Sequence, residues 1–481
     1  MTDIRRDCGR REPAVCEGGA PCPAALPTRL RELVPRPISR FAGVALFTCW
    51  LVLVRSHVVA VGAAVGARMP AFACFSASFA LVGWLILALV ARVSPIARRV
   101  ELTVLAGALA SIGGGMIALV DVGALDGGAF VPAVVLAGAA AGWISLAWQE
   151  YLATQGMRRA LMGLALGTLA GVVLAACLAS LPGAVVDVAL GALPLASALA
   201  LRPHRGARFY ASGAGSRTSR QVCEDIVRDH SPLMLTSLAL TAVAFGIVGA
   251  GSPDAAATAL PFALLVTATA AVANVALALL AGPSLARVPY VALPLMAAGV
   301  VAGELGMPAA VGVALSSMGY FLMAYLMWVE MAQSAERKRL PAIGLFASLA
   351  AAEYVGVGIG QAVASWAPAG AVSALGTTSL VTLLAASLFL MAVRDRMEIS
   401  QSVLDAPVRS DLEVRVLRLA DRAGLTPRET DVLQLWAEGH NAAYVQTALG
   451  ISRNTVKSHL NHIYQKVGVT SREELLARVM G

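Results

Sequence analysis

The residues best suited to chemistry lie near the C-terminus, in the run SRNTVKSHLNHIYQK at positions 452–466. In a helix, Val456, Leu460 and Ile463 would form one apolar stripe, with Val467 continuing it. The opposite face carries amides and hydroxyls that can bond to base edges in the DNA major groove, while Lys and Arg hold phosphates. The predicted DNA-contacting residues are Arg453, Asn454, Thr455, Lys457, Ser458, Asn461, His462 and Gln465.

Helix-capping residues before, within and after this run predict where the helices around it begin and end. Thr426-Pro427-Arg428-Glu429 is a capping box with proline at the first helical position, and Ser471 with Glu474 predicts a second box. Asn441 and Ser452 are further N-caps, and glycines end the helices. The sequence therefore predicts four short helices that start after Thr426, Asn441, Ser452 and Ser471 and end at Gly439, before Gly450 and at Gly468.

With these residues in place, the segment 425–481 resembles the LuxR-type helix-turn-helix, whose pattern is LTxRExxVLxLxxxG…IAxxLxISxxTVxxHxxxIxxKLxVxSRxEL. The matching residues are Leu425, Thr426, Arg428, Glu429, Val432, Leu433, Gly439, Leu449, Ser452, Thr455, Val456, Lys457, His459, Ile463, Lys466, Ser471, Arg472, Glu474 and Leu475. The resemblance implies that the third helix enters the major groove with Lys457 against DNA, and that the fourth helix mediates dimerisation. The segment departs from the pattern at 441–446, which loses a Lys/Glu pair, and at Val467, which replaces Leu.

The charge of this segment limits how tightly one copy can bind. Residues 425–481 carry six Lys/Arg against five Asp/Glu, so the electrostatic contribution of a single copy is weak. We therefore predict a homodimer on paired half-sites of double-stranded promoter DNA. The alternative is an adaptor domain that has lost DNA binding.

The rest of the chain has the composition of a membrane protein. The chain is 58% hydrophobic and only 14% charged, against roughly 25% charged in soluble domains. Apolar runs of about 20 residues, long enough to cross a bilayer, follow one another through residues 41–393. The predicted fold is all-α, with a twelve-helix membrane domain surrounded by lipid and a four-helix C-terminal domain. The predicted spans are 41–63, 71–91, 101–121, 129–149, 160–180, 183–201, 232–252, 256–281, 288–304, 308–329, 342–365 and 371–393.

Arginines in the connections predict the topology. The connections assigned to the inside hold nearly all of them, those assigned to the outside hold only Arg68, and the Pro-rich tail 1–40 adds eight more. Residues 1–40 are expected to be a disordered basic cytoplasmic tail. The protein is therefore predicted to lie in the cell (inner or plasma) membrane, with both termini in the cytoplasm.

The long basic connection 202–231 divides the spans six and six, a layout that resembles the major facilitator superfamily. The resemblance implies a substrate site at midplane between two six-helix halves. The family's motif between spans 2 and 3 is only partly kept, since ALVARVSPIARRV retains Arg92, Arg98 and Arg99 but lacks the glycine and the aspartate.

Ionisable and amide groups inside the spans are the candidate ligand-binding residues, because such groups are costly in a bilayer and often functional. They are Arg55 and His57 in the first span and Glu353 and Gln361 in the eleventh; Asp187 lies in the sixth. An Arg55–Glu353 pair would neutralise both charges. Arg55 could instead extend toward the outer surface.

No pattern indicates an enzyme, a cofactor or a metal site. The G-x-x-x-x-G-K-[ST], H-E-x-x-H and G-x-S-x-G motifs are absent, and the seven cysteines lack metal-ligand spacing. Glycines 356, 358 and 360 fall inside a span, where helix packing explains them better than nucleotide binding.

These observations predict a membrane-embedded one-component transcriptional regulator. The membrane domain would sense a small molecule or a membrane state, and the tail would bind promoter DNA. Residues 394–424, with Leu412, Val416 and Leu419 at helical spacing, would link the two as a helix or as a simple spacer. The alternatives are a transporter with an appended regulatory domain, and a tether from which proteolysis releases the tail.

Overall fold

The structure is a computed structural model that falls into two compact units, residues 1–400 and 401–481. It describes residues 41–66, 68–155, 157–202, 232–250, 255–279, 288–338, 340–366, 372–393, 423–449 and 451–480, together with 220, 221, 224, 226, 412, 415, 416, 419 and 420. The predictions for 1–40 and for most of 202–231 and 394–422 fall outside the described residues.

In its described residues, the first unit contains twelve long helices, one at each predicted span, and no strand. By length and composition, nine of these helices could cross a membrane, while the apolar parts described for α7, α9 and α12 are shorter. The all-α prediction is confirmed. The helices are α1 Ala42–Ala64, α2 Arg68–Ala88, α3 Val100–Asp121, α4 Phe130–Ala153, α5 Met157–Ala179, α6 Gly183–Ala200, α7 Pro232–Ala250, α8 Ala255–Leu279, α9 Val288–Glu304, α10 Ala309–Lys338, α11 Ala342–Trp366 and α12 Val372–Val393.

These helices form two halves of six. Within the first half α3 packs on α4 and α6, and within the second half α9 packs on α10 and α12. The halves meet mainly where α2 packs on α11 and where α5 packs on α8. A shift of six helices exchanges these two contacts, so the halves use equivalent surfaces, as internal repeats do. The six-plus-six prediction is confirmed.

Small residues let α7 and α11 approach closely. A Cβ atom on Gly356 or Gly360 would collide with the backbone carbonyls of Ala239 and Val243 in α7. Gly358 points elsewhere, and its Cβ would meet the Ser76 side chain of α2 at an ordinary 3.5 Å. The packing interpretation of this glycine run is confirmed.

In the described part of the second unit, four short helices with defined bounds pack around one apolar core. They are α13 Pro427–Ala437, α14 Ala442–Leu449, α15 Arg453–Val467 and α16 Arg472–Met480. Val432, Val456 and Leu475 are fully buried in this core. Val416 and Ala420 are also fully buried there, although the sequence placed them in a linker. The spacing of Leu412, Val416 and Leu419 predicted a helix or a simple spacer, but spacing alone does not show against which core a helix packs.

Candidate nucleic-acid interface and intramembrane polar cluster

The capping side chains fix the first two helices of the tail as predicted. Thr426 Oγ1 accepts a hydrogen bond from the Glu429 amide at 3.3 Å, and Glu429 Oε2 accepts one from the Thr426 amide at 2.7 Å. This reciprocal pair confirms the capping box. Gly439, at φ +93°, follows α13. Asn441 Oδ1 then accepts from the Tyr444 amide at 2.9 Å and opens α14.

Helix α15 is held by both its ends and its apolar stripe. Ser452 Oγ accepts from the Thr455 amide at 3.1 Å, and Gly468 ends the helix in the left-handed conformation at φ +72°. Val456, Leu460 and Ile463 are buried, as predicted. Because the core fixes this stripe, the rotation of the opposite face is also fixed.

That opposite face is open to solvent. Thr455 is half-buried, and its Oγ1 lies 2.8 Å from Ser452 Oγ, so this hydroxyl belongs to the cap. His462 is exposed, with Nδ1 3.8 Å from Glu429 Oε1. The other predicted DNA-contacting residues are all exposed: Arg453, Asn454, Lys457, Ser458, Asn461 and Gln465.

The second predicted capping box is only half formed. Ser471 Oγ accepts from the Glu474 amide at 3.1 Å, as expected. Glu474 Oε2, however, accepts from Thr470, from its amide at 2.8 Å and its hydroxyl at 3.1 Å, not from the Ser471 amide. Thr470 donates two hydrogen bonds to the same carboxylate oxygen, whereas Ser471 could donate only one from its amide. The Glu474 side chain therefore bonds to Thr470. These hydrogen bonds, that of the Thr470 amide first, lower the pKa of Glu474.

In the membrane unit, a polar cluster lies between the two halves. Tyr320 of α10 donates a hydrogen bond to Glu353 Oε1 of α11 at 2.5 Å. Arg55 of α1 interacts electrostatically with Tyr320 and with Tyr354 of α11. Arg55, Glu353 and Tyr354 are partly exposed although they lie within long helices. We call Arg55, Tyr320, Glu353 and Tyr354 the central polar cluster.

Aromatic rings from both halves surround this cluster. Tyr354 stacks on Phe79 of α2, with ring centroids 3.7 Å apart and planes 9° apart. Tyr320 stacks on Phe245 of α7, with centroids 4.0 Å apart and planes within 1°. Phe321 lies edge-on to both Tyr320 and Phe245. The cluster therefore combines one cation, one carboxyl group and flat apolar surfaces.

The hypothesised Arg55–Glu353 ion pair is not formed. Within the described parts of the chain, no contact of 4.0 Å or less joins Arg55 to a carboxylate, and Glu353 is bonded to Tyr320. Arg55 interacts with tyrosines of the second half. From the sequence, Arg55 and Glu353 could be placed inside predicted spans. The sequence could not show that the Tyr320 hydroxyl, rather than the Arg55 guanidinium, bonds to Glu353.

His57 and Gln361 lie apart from the central polar cluster. Residues two apart on a helix point about 200° apart, so Arg55 and His57 face different neighbours. His57 brings a ligand atom within 4.8 Å of those of Asp121 in α3 and Asp187 in α6. Gln361 Oε1 accepts from Ser76 Oγ at 3.1 Å and ties α11 to α2. The predicted ligand set thus divides among three places.

The family comparison identifies the tail. Residues 423–479 match the family of bacterial regulatory proteins described as the luxR family. The tail is a LuxR-family helix-turn-helix domain. It is 44% identical over 50 residues to the transcriptional regulatory protein DegU of Brevibacillus brevis, and 43% over 53 residues to the transcriptional regulatory protein SgaR of Hyphomicrobium methylovorum.

The alignments with those proteins are short. The alignments cover 10% and 11% of this chain and 21% and 25% of DegU and SgaR. An HTH-type transcriptional regulator of Mycobacterium tuberculosis is 42% identical over 52 residues, which is 6% of its length. The chain thus spans a quarter or less of these relatives.

Solved transporters share the fold of the membrane unit. The Escherichia coli fucose:proton symporter FucP matches with a TM-score of 0.51 at 12% identity, over 75% of this chain and 98% of its own. The human organic anion transporter MFSD10 matches with a TM-score of 0.51 at 17% identity, over 74% of this chain and 100% of its own. At such identities the likeness shows the fold alone, which the membrane unit shares with these transporters.

Lys466 and Arg472 match the LuxR-type pattern, and the structure shows what each of them contacts. Lys466 Nζ donates to Glu429 Oε2 at 2.7 Å. Burial raises the pKa of Glu429, but hydrogen bonds from Lys466 and Thr426 outweigh it and lower that pKa to about 2. Arg472 places its guanidinium carbon 4.6 Å from the Trp436 ring centroid, which joins α16 to α13. Lys466 is thus committed within the domain, whereas Arg453 and Lys457 make no ion pair with any described residue.

Proposed function

We propose that this chain is a membrane-embedded one-component transcriptional regulator. The observation that carries the proposal is the open, rigidly held face of α15 in a LuxR-family domain, in the same chain as a major-facilitator fold. The first part binds double-stranded promoter DNA. The second part senses a small molecule through the central polar cluster.

The cluster suits a sensor because both halves contribute to it. A ligand can shift an equilibrium only if it binds two conformations with different affinity. A molecule that contacts Arg55 of the first half together with Tyr320 or Tyr354 of the second favours the arrangement in which those groups are correctly spaced. Movement of the halves is the conformational change known for this kind of fold.

The connecting segment offers a way to pass such a change to the tail. Val416 and Ala420 are core residues of the DNA-binding domain, so tension or rotation upstream of them acts directly on that core. A simple flexible spacer ending near residue 424 would lack this connection. We propose that the signal alters how two tails pair on DNA, and that both termini lie in the cytoplasm, as the arginine distribution favours.

Pairing matters because a single tail has few free cations. Lys466 is held by Glu429, which leaves Arg453 and Lys457 as the cations on the exposed face of α15. Phosphate contacts dominate affinity for DNA, so two copies on adjacent half-sites are needed for useful binding. Enforced monomers that bind an operator as tightly as dimers would contradict this part of the proposal.

The test is genome-wide DNA occupancy of the full-length protein in cells, comparing wild type with Lys457→Ala. We expect loss of one phosphate or base contact to weaken site-specific binding by about tenfold or more. Arg428→Ala is the matched control, because it removes the same charge from α13. Equal occupancy in wild type and Lys457→Ala, or equal losses in both variants, would reject the assigned face.

A second candidate function is transport. The transporter fold covers about three quarters of the chain, and the similar structures include a proton symporter. Uptake into proteoliposomes driven by a proton gradient would support this function. A protein that binds a ligand without net flux would favour the sensor.

A further inference from the structure

We propose that the central polar cluster binds a small organic anion, in which a carboxylate is attached to a flat apolar body. Arg55 is the group that pairs with the carboxylate. This inference rests on the proposed sensor function and names the chemical class of its ligand.

The first argument is the isolation of the Arg55 charge. Among the residues that the structure describes, Arg55 makes no hydrogen bond and no ion pair, and the groups around it are the phenols of Tyr320 and Tyr354. A partly buried cation without an anion is less favourable than one that is paired. A guanidinium binds a carboxylate through two parallel hydrogen bonds, which suits this position better than any neutral ligand.

The second argument is that the nearby carboxyl group is already engaged. Glu353 accepts the Tyr320 hydroxyl at 2.5 Å, and no ion pair joins it to Arg55 within the described residues. The protein therefore supplies an acid in the cluster but does not use it to neutralise the cation. No carboxylate among the described residues pairs with Arg55, which leaves its guanidinium available to an anionic ligand.

The third argument concerns the remainder of the ligand. Two stacked pairs belong to the cluster: Phe79 of the first half packs on Tyr354, and Phe245 packs on Tyr320 within the second half. Ligand sites combine apolar, often aromatic surfaces with a few polar groups that fix orientation. Of these four rings Tyr354 is partly exposed, and flat rings pack well on such a ring. An aromatic carboxylate satisfies both the cation and the rings, whereas an inorganic anion uses only the cation.

Thermal unfolding of the purified full-length protein in detergent tests this inference. The probes are benzoate, phenylacetate and cinnamate, each compared with its neutral amide of nearly the same shape. A ligand that binds the folded state raises its stability in proportion to the logarithm of its concentration. We expect a concentration-dependent increase in Tm for at least one acid and none for the matching amide. Equal increases for acid and amide, or no increase for any acid, would overturn the proposal.

Arg55→Gln identifies the site. We expect the apparent Kd of the responding acid to weaken by about tenfold or more, since a charged hydrogen-bonded pair is lost. Arg202→Gln removes an exposed arginine at the end of α6 and should leave the shift unchanged. Unchanged affinity in Arg55→Gln would overturn the assignment. If that variant does not fold, Arg55→Lys keeps the charge but cannot form the two parallel hydrogen bonds of a guanidinium. An apparent Kd for the responding acid that is unchanged in Arg55→Lys would then overturn the assignment.

Failure of this inference can be told apart from failure of the proposed function. DNA occupancy is measured in cells with and without the acid that stabilises the purified protein. An acid that raises Tm through Arg55 but leaves occupancy unchanged keeps the site and rejects its regulatory role. Occupancy that depends on Lys457 without any acid response at Arg55 keeps the regulator and rejects the ligand class.

Discussion

The membrane unit and the LuxR-family tail hold their helices together by different means. The tail uses side chains at helix ends, such as Thr426 and Ser452, around helices of 8 to 15 residues. The membrane unit uses close approach at glycines and hydrogen bonds between distant helices. Ser197 of α6, for example, donates to the Gly43 carbonyl at 2.7 Å and accepts from Trp148 Nε1 at 3.1 Å. The helix ends of the tail are therefore determined by residues close together in the sequence. The packing of the membrane unit depends on residues far apart in it.

The largest effect that would test this contrast is expected at Gly360. Gly360→Val forces a side chain into the backbone of α7 and should destabilise the membrane unit by about 3 kcal/mol or more, at the upper end of overpacking. Because the tail is a separate compact unit, its own unfolding should not change. Thermal unfolding in detergent, followed by tryptophan fluorescence, measures the loss.

Gly358→Ala is the control for that variant. It lies two residues away on the same helix, and its added methyl group meets Ser76 Cβ at an ordinary distance. We expect a change within about 0.5 kcal/mol. If both substitutions destabilise equally, close approach to α7 at Gly360 does not explain the loss, and the contrast between the units fails.

The Glu429–Lys466 pair gives an intermediate effect that belongs to the tail alone. The folded pKa of Glu429 is lowered to about 2 from an ordinary 4.5, so its stabilisation is complete above pH 4.5 and disappears as the pH falls toward 2. We expect Glu429→Gln to cost about 2 kcal/mol at pH 7 and progressively less toward pH 2. Glutamine can still accept the Thr426 amide, so the variant isolates the ion pair.

Urea unfolding of residues 401–481, followed by circular dichroism across that pH range, measures this difference. Glu473→Gln is the control, since Glu473 is exposed on α16. A difference between wild type and Glu429→Gln that stays constant from pH 7 to pH 2 would show that the ion pair with Lys466 contributes nothing.

How much the sequence could predict follows the same contrast. The caps at Thr426, Asn441 and Ser452 and the buried stripe of α15 were readable because each depends on residues within one or two turns. The positions of the membrane helices were readable from apolar length. The partner of Glu353 was not, because Tyr320 lies 33 residues away and any of several helices could have faced it.

Two regions show where local patterns stop being sufficient. Arg55 and His57 were both predicted to be ligand-binding residues because ionisable groups are costly in a bilayer, and helical geometry separates their directions by about 200°. Val416 was predicted to lie in a linker helix or spacer, and in the structure it packs in the tail core. The separation of Arg55 from His57 follows from the sequence, whereas the packing of Val416 depends on residues far from it in the chain.

The smallest predicted effect compares the complete capping box with the incomplete one. Thr426→Ala removes a cap whose carboxylate partner, Glu429, bonds back to the Thr426 amide, whereas Ser471→Ala removes a cap whose partner, Glu474, bonds to Thr470 instead. Loss of an N-cap costs about 1 kcal/mol on average. We expect Thr426→Ala to cost about 1 to 2 kcal/mol in urea unfolding of 401–481, and Ser471→Ala about half as much, because Thr470 still holds Glu474 after that substitution. If the two substitutions lower the free energy of unfolding equally, the hydrogen bond from the Thr426 amide to Glu429 adds no stability. The N-cap hydrogen bonds of Thr426 and Ser471 would then account for the whole effect.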